Sequence, residues 1–345
     1  MAYYEFTYQN GYDALKRIIT ALADNWEFVD FANVFRGSGS NGYLQYKQFN
    51  DDLGDVTANT EYDLQTPLVF EETVTDGNGN QITDYTIDRV RGKIRFNSNH
   101  SGVKVSYKFI PKSLVFNLKP FNGQLTFKIG VGIAVFDTED NFYIVFTRYD
   151  EATNSVISKA DVGVAFWAQT GKGFVFISEN RAIIVVESEG KYAQAYGGVY
   201  IPLINSEQLC VPFVAMGSHL CHNQYKSYSD THSATNDSVR SLKNARGELI
   251  RIDTCDIITF RGTVPDYPPD CNTDDTIRYE DGVERVLIPL IVYRDFPLGL
   301  LENVYWIPDA NLTGETVITV NGEDYVVFPD VFRTDWCQFI AIKKT

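Results

Sequence analysis

The chain has 345 residues, of which 44% are hydrophobic and 22% charged, enough to fill a real core and outside the range of intrinsic disorder. Its formal net charge of −15, with no basic run, excludes a surface built for nucleic acid or anionic membrane, since both need clustered Lys and Arg. Tyr (21) and Phe (23) are abundant and Met (2) is scarce, a bias toward the half-buried pleated surfaces of β structure.

Five cysteines, Cys210, Cys221, Cys255, Cys271 and Cys337, are odd in number, widely spaced and without a CxxC pair. They read as reduced thiols of a protein assembled in cytoplasm, not as a disulfide scaffold. No apolar run approaches the ~20 residues of a membrane span. The opening MAYYEFTYQNGYDALKR lacks the basic-then-apolar order of a signal peptide. The expectation is a soluble protein that is not exported by a cleaved signal.

Taken in order, the first element is a helix over Asn10–Asn25. Ala14, Leu15, Ile18, Ile19 and Leu22 recur at three- and four-residue spacing and form one apolar stripe, with Asn10 as N-cap. Docking on its own domain is favoured over docking on a neighbouring subunit. Trp26 and Phe28 lead into an extended stretch. GSGSNG (37–42) matches G-x-G-x-x-G by letter, but the alternating YLQYKQF after it reads as a strand where a dinucleotide fold needs a helix. It is read as a flexible link.

Residues 62–110 form a block of alternating strands and Gly- and Asn-rich turns, in which YDLQTPLVFEETVT and QITDYTIDRVRGKIRF flank DGNGN. The pattern predicts hairpins. Asp76, Asn78 and Asn80 have the spacing of a calcium-loop start, but the loop lacks Gly at its sixth position and an acid at its twelfth. Asp270, Asn272 and Asp274 fail at the sixth position too. From about Ser113 the chain is nearly all strands. SENRAII joins two of them across Glu179-Asn180, and TVITV-NG-EDYVVF predicts a hairpin whose Asn321-Gly322 turn tolerates positive φ. Tyr225–Glu248 is a long polar stretch, and such loops are functional or lie at interfaces.

The chemistry-bearing residues concentrate in Gly217–Ser233, which holds His219, Cys221, His222, Asp230 and His232. Zinc wants four N or S ligands, often as two close pairs. His219 with Cys221 or His222, then His232 or Asp230, then Cys210 or Cys255, would supply them. The spacing fits no standard zinc pattern, so a polar surface or interface loop without metal is favoured. Asp230 and His232 can pair, yet no activated Ser or Cys accompanies them, and no G-x-S-x-G, H-E-x-x-H or P-loop occurs. Arg333 and Asp335 near the C-terminus read as an ordinary exposed pair. The reading is therefore of no enzyme, no catalytic residues, no cofactor and no metal.

Several segments together resemble a family of tailed-bacteriophage virion proteins found among tail and baseplate components. They are the first helix leading into Trp26, LTFKIGVGIAVFDTEDNFYIVFTRYD, AFWAQTGKGFVFISENRAIIVVESEGKYAQAYGGVYIPL, the Gly217-Ser218 step into a His- and Ser-containing loop, and TVITVNGEDYVVFPDVFRTDWCQFIAIKK. Residues 62–110 stand apart as an added module, in which DYTIDRVRGKIRF resembles hairpins common in phage structural proteins. The resemblance implies a structural subunit of a ring or trimer, located in the virion. Its partners would be copies of itself and other tail or neck proteins, with no nucleic acid and no membrane. The variants are a neck or collar protein and a module that binds host-surface glycan. The expected fold is mainly β, in β-sandwich-like domains, with the N-terminal amphipathic helix and an inserted small β module. Its parts are 1–43 (helix and link), 44–112 (inserted module) and 113–345 (main β domain), and residues 62–110 are expected to form a compact β module removable without unfolding the remainder.

Overall fold

A computed structural model describes residues 1–32, 46–119, 126–135, 141–151, 153–157, 164–166, 169–203, 213–218, 242–243, 249–250, 256–258, 285–293, 297–307, 311–329 and 339–344. The chain is mainly β, with one helix among the described residues. It opens with β1 (Ala2–Tyr8), α1 (Gly11–Asn25) and β2 (Glu27–Ala32). Then come β3 (Lys47–Val56), β4 (Glu61–Asp63), β5 (Val69–Thr75), β6 (Tyr85–Asp88), β7 (Lys93–Phe96) and β8 (His100–Phe109). The central strands are β9 (Ser113–Leu118), β10 (Phe127–Val135), β11 (Phe142–Asp150), β12 (Ser155–Ile157), β13 (Val164–Phe166), β14 (Gly171–Ser178), β15 (Arg181–Ser188), β16 (Lys191–Gly198), β17 (Ile201–Pro202) and β18 (Phe213–Ser218). The last are β19 (Leu242–Lys243), β20 (Leu249–Ile250), β21 (Asp256–Ile258), β22 (Ile288–Tyr293), β23 (Pro297–Ile307), β24 (Val317–Val320), β25 (Glu323–Pro329) and β26 (Phe339–Lys343).

Three large antiparallel sheets form the main body. The first has the order β1-β14-β15-β16-β18, and the second β12-β11-β10-β9-β2 with β13 also on β11. The third runs β21-β22-β23-β26-β25-β24 with β17 on β23. Two positive-φ turns fix hairpins: Glu189-Gly190 (φ 54 and 76) between β15 and β16, and Asn321-Gly322 (φ 53 and 78) between β24 and β25. The second is the turn that the Asn-Gly pair predicts.

The first sheet is covered on both faces, which is why its strands read as continuous apolar runs rather than alternating ones. Phe174 and Phe176 meet Phe328 of β25 at ring distances of 5.0 and 6.2 Å. On the opposite side lie α1 and the second sheet. Gly197 of β16 sits so close to Phe146 of β11 that a Cβ there would fall 2.5 Å from the ring.

α1 forms as its pattern predicts. Asn10 is extended and its side chain accepts the Asp13 N–H at 3.0 Å, satisfying a free helix N–H, while Asp13 complements the positive end of the helix dipole. The stripe of Ala14, Leu15, Ile18, Ile19 and Leu22 is fully buried in the chain's own core. Trp26 ends the helix, donates its indole N–H to the Ser178 carbonyl at 2.8 Å, and packs against Phe116 and Phe146.

β2 and β9 pair from Glu27 opposite Asn117 to Ala32 opposite Ser113, with a bulge between Phe28 and Asp30. β3 to β8 are therefore inserted between two adjacent strands of one sheet. They make two three-stranded sheets, β3-β8-β5 and β4-β7-β6, around a core that includes Leu64, Val74, Ile94, Phe96, Val105 and Tyr107. β3 starts at Lys47, ahead of the 62–110 block that the pattern marks, and pairs with β8. Leu68, Val90 and Phe109 belong to the main core, so a cut at 62 would orphan β3 and open that core.

The expected hairpin across DGNGN takes another form. The turn is closed by one bridge, Thr75 to Gln81, after which β5 leaves to join β8 and β6 to join β7. The Asp76 carboxylate accepts the N–H of Asn78 and Asn80 and the Asn80 side-chain amide, folding the turn on itself. A bulge in β5 carries Glu71 at φ 51. Next to it Glu72 takes a two-pronged clamp from Arg89 at 2.6 and 2.8 Å.

The module docks on α1. Tyr12 meets Phe49 and Phe109 of the module and Phe142 of the main body at 4.9–5.0 Å. Lys16 reaches Asp63 and the Leu64 carbonyl, and Arg91 reaches Asp24 and the Ala23 carbonyl.

Candidate interaction site

The residues singled out by sequence, His219, Cys221, His222, Asp230 and His232 with Cys210 and Cys255, lie outside the described residues. So do GSGSNG, Asp270, Asn272, Asp274, Cys271, Cys337, Arg333 and Asp335, and all of Tyr225–Glu248 except the short strand β19. Among the described residues, no group of three or more His, Cys, Asp and Glu side chains could hold a metal ion.

The fourth histidine, His100, is described, and it stands beside Asp84 and Ser98. The three residue types are those of a hydrolytic triad, but the geometry differs. His100 Nε2 lies 2.8 Å from Asp84 Oδ1 and 3.1 Å from Ser98 Oγ, so one ring nitrogen faces both groups. A triad needs the carboxylate on one nitrogen and the hydroxyl on the other. Here the Ser98 hydroxyl donates to Asp84 Oδ2, so its proton is directed at a carboxylate rather than a base. The Ser98 hydroxyl and then His100 hold the Asp84 carboxyl below its usual range. The cluster ties the start of β8 to the β6–β7 hairpin.

Arg181 is a residue that sequence reasoning passed over. It is 2% exposed, and its Nη1 lies 2.8 Å from the Glu302 carbonyl and 2.9 Å from the Glu302 carboxylate. The pair joins β15 of the first sheet to β23 of the third. Nearby Tyr196 is fully enclosed, and burial pushes its phenol pKa upward. No local signal marks this contact, since Arg181 and Glu302 are 121 residues apart.

Among the described residues, a cleft of about 720 Å³ with the shape of a binding site lies beside β1. Tyr3, Tyr4, Glu5 and Phe6 line one wall, and Asp13, Lys16, Arg17, Thr20, Ala21 and Asp24 of α1 line the other, with Asp63 and Lys93 at the module end. Side chains of a strand alternate between faces. A cleft touched by four consecutive residues therefore runs along the strand's edge, not over one face. Among the described residues β1 pairs with β14 alone.

Register shows which backbone groups face the cleft. Ser178 and Arg181 close a two-residue turn, so Ser178 bonds toward β15. Alternation then directs Gly171, Gly173, Val175 and Ile177 toward β1, opposite Tyr8, Phe6, Tyr4 and Ala2. The N–H and C=O groups of Tyr3, Glu5 and Thr7 are left pointing outward. The charges of the helix wall are internally paired: Lys16 with Asp63, Arg17 with Asp13, Asp24 with Arg91. Glu5 is exposed and accepts the Tyr3 hydroxyl at 2.7 Å.

No protein family matches the chain, and no curated protein matches it.

Proposed function

We propose that the protein is a structural subunit of a bacteriophage tail, in the baseplate or distal tail, that works in virion assembly as a ring or trimer. The observation that carries this reading is the open edge of β1 beside a preformed cleft. Edge strands present unpaired N–H and C=O groups that a monomer covers or charges, and that a neighbour in an assembly can pair instead. The resemblance of the strand segments to tail and baseplate components supplies the setting, and its partners would be further copies and other tail proteins. β-sandwich-like packing of the large sheets fits the reading, since both faces of the first sheet are covered by other layers.

A neck or collar position is the nearest variant. A glycan-binding role is less favoured, because the aromatic faces in the cleft are already occupied: Arg17 lies over Phe6 at 5.8 Å and Lys344 over Tyr3 at 4.9 Å. The test is native mass and electron imaging of the purified protein and of virions. Rings or trimers, and a fixed copy number in the particle, are expected. A strict monomer absent from virions, or one with measurable turnover, overturns the assignment.

A further inference from the structure

We propose that the β1 edge receives one extended, lysine- or arginine-bearing segment of an assembly partner as a sixth strand of the first sheet. The origin of that segment rests on the assembly reading above; the edge itself rests on register.

Three features of the cleft fit a strand. The outward groups of Tyr3, Glu5 and Thr7 repeat every second residue, the spacing at which an extended backbone offers its own donors and acceptors. With strands about 4.8 Å apart, sheets about 10 Å apart and a rise of about 3.4 Å, one strand residue fills roughly 160 Å³. The cleft of about 720 Å³ thus holds about four residues, and four residues of β1 line it. The walls also exclude a second layer, because α1 closes one side and the docked module closes the end.

Charge selects the partner. Pairing β1 with β1 of a second copy about a two-fold axis, centred on the outward set, sets Glu5 opposite Glu5. Like charges directly opposite are destabilising. On the same face Lys172 is already held by Glu315, and its surroundings include Glu187 as well as Glu5. A cation on the incoming strand opposite Glu5 answers that field, and the chain's −15 draws a basic segment toward it. The other face of the incoming strand lies toward Thr20 and Ala21, which suits small or apolar side chains.

The experiment uses the full chain and two probes, an octapeptide alternating valine and lysine and its valine–glutamate counterpart. Binding is followed by calorimetry and by amide hydrogen exchange. In the free protein the Tyr4, Phe6 and Tyr8 amides should be protected and those of Tyr3, Glu5 and Thr7 should exchange fast. The valine–lysine peptide should slow the second set at least about tenfold and bind at least about tenfold tighter than its counterpart. Thr7→Pro removes one outward N–H without touching the β1–β14 ladder, a position where an edge strand accepts proline. It should weaken binding at least about tenfold with the fold intact, and Glu5→Gln should erase the preference for lysine. Protected Tyr3, Glu5 and Thr7 amides in the free protein overturn the proposal whatever the variants do. Binding indifferent to Thr7→Pro, or equal for the two peptides, overturns it too. Oligomers that form unchanged from Thr7→Pro subunits sink edge docking but leave assembly standing. Monomers in every sample, with the peptide still bound, sink assembly but leave the edge.

Discussion

The inserted module and the main body solve the same β-packing problem with different means. The module surrounds a small core with ion pairs across wet strand faces, Arg89–Glu72, Lys93–Glu61 and Lys108–Glu71, and with the His100–Asp84 hydrogen bond. The first sheet of the main body has almost no wet face. Its buried charge is Arg181, while Glu5, Lys172, Glu187 and Lys191 stand at its margins, and its layers interlock through Phe174, Phe176 and Phe328 on one side and Gly197 against Phe146 on the other. One-sided burial leaves alternation in the letters, whereas two-sided burial erases it. The same contrast sets where each region is vulnerable: the body to loss of a buried partner, the module to loss of a turn or a clamp.

The sharpest break in the comparison is Arg181→Ala. It empties a buried site and leaves Glu302, 30% exposed, without its partner, and the two losses together should cost about 3–5 kcal/mol. Denaturant melts should show that loss in the body, while β3 and β8 amides keep their protection. Arg181→Met also breaks the pair but fills the space, and should cost less by the cavity it avoids. Equal effects from the two substitutions would mean that pairing rather than packing matters there.

Gly92→Ala is the module's counterpart. Gly92 has φ 63, and a Cβ would fall 1.9 Å from the Thr66 carbonyl oxygen. Strain and clash together should cost about 2–4 kcal/mol, read as early unfolding of the module by hydrogen exchange. A cost under about 1 kcal/mol would show that the Thr66 turn can move aside.

Next in size is the acid response of the clamp. Arg89 hydrogen-bonds Glu72 and holds its carboxyl below the ordinary glutamate value of 4.5. A lowered folded-state pKa adds stability that is complete above 4.5 and is lost as pH falls through the lowered value. Module amides should therefore lose protection on acidification, and Glu72→Gln should flatten that response at a cost of about 1–2 kcal/mol at neutral pH. An unchanged pH profile in Glu72→Gln would remove the clamp from the account. The smallest effect is expected at Asn10→Ala, where loss of the cap should cost about 1 kcal/mol by thermal melt.

What could be read in the letters follows from range. The α1 stripe, its Asn10 cap and the Asn321-Gly322 turn are all set by neighbours within a few residues, and each appears where its pattern predicts. DGNGN was legible as a turn but not as a fork, because the choice of β8 over β6 as partner for β5 depends on strands far along the chain. The candidate site was less legible still. AYYEFTY alternates no more clearly than many other stretches, and its open edge is fixed by a ladder to β14 some 170 residues away, which is fixed in turn by the Ser178–Arg181 closure. The histidine-rich stretch, the strongest local signal of chemistry, falls outside the described residues.

The splice between β2 and β9 has a mechanical consequence. The module leaves the second sheet after Ala32 and returns at Ser113, and those two residues are opposite each other at one end of the ladder. A pull on the module would load that ladder as a zipper, one rung at a time from Ala32 toward Glu27, rather than in shear across all rungs together. The contacts of Arg91 with Asp24 and the Ala23 carbonyl, and of Lys16 with Asp63, lie between the module and α1. They carry the force into the buried helix before the first rung is strained, so a tug on the module is felt at α1 and along the β1 cleft that α1 walls.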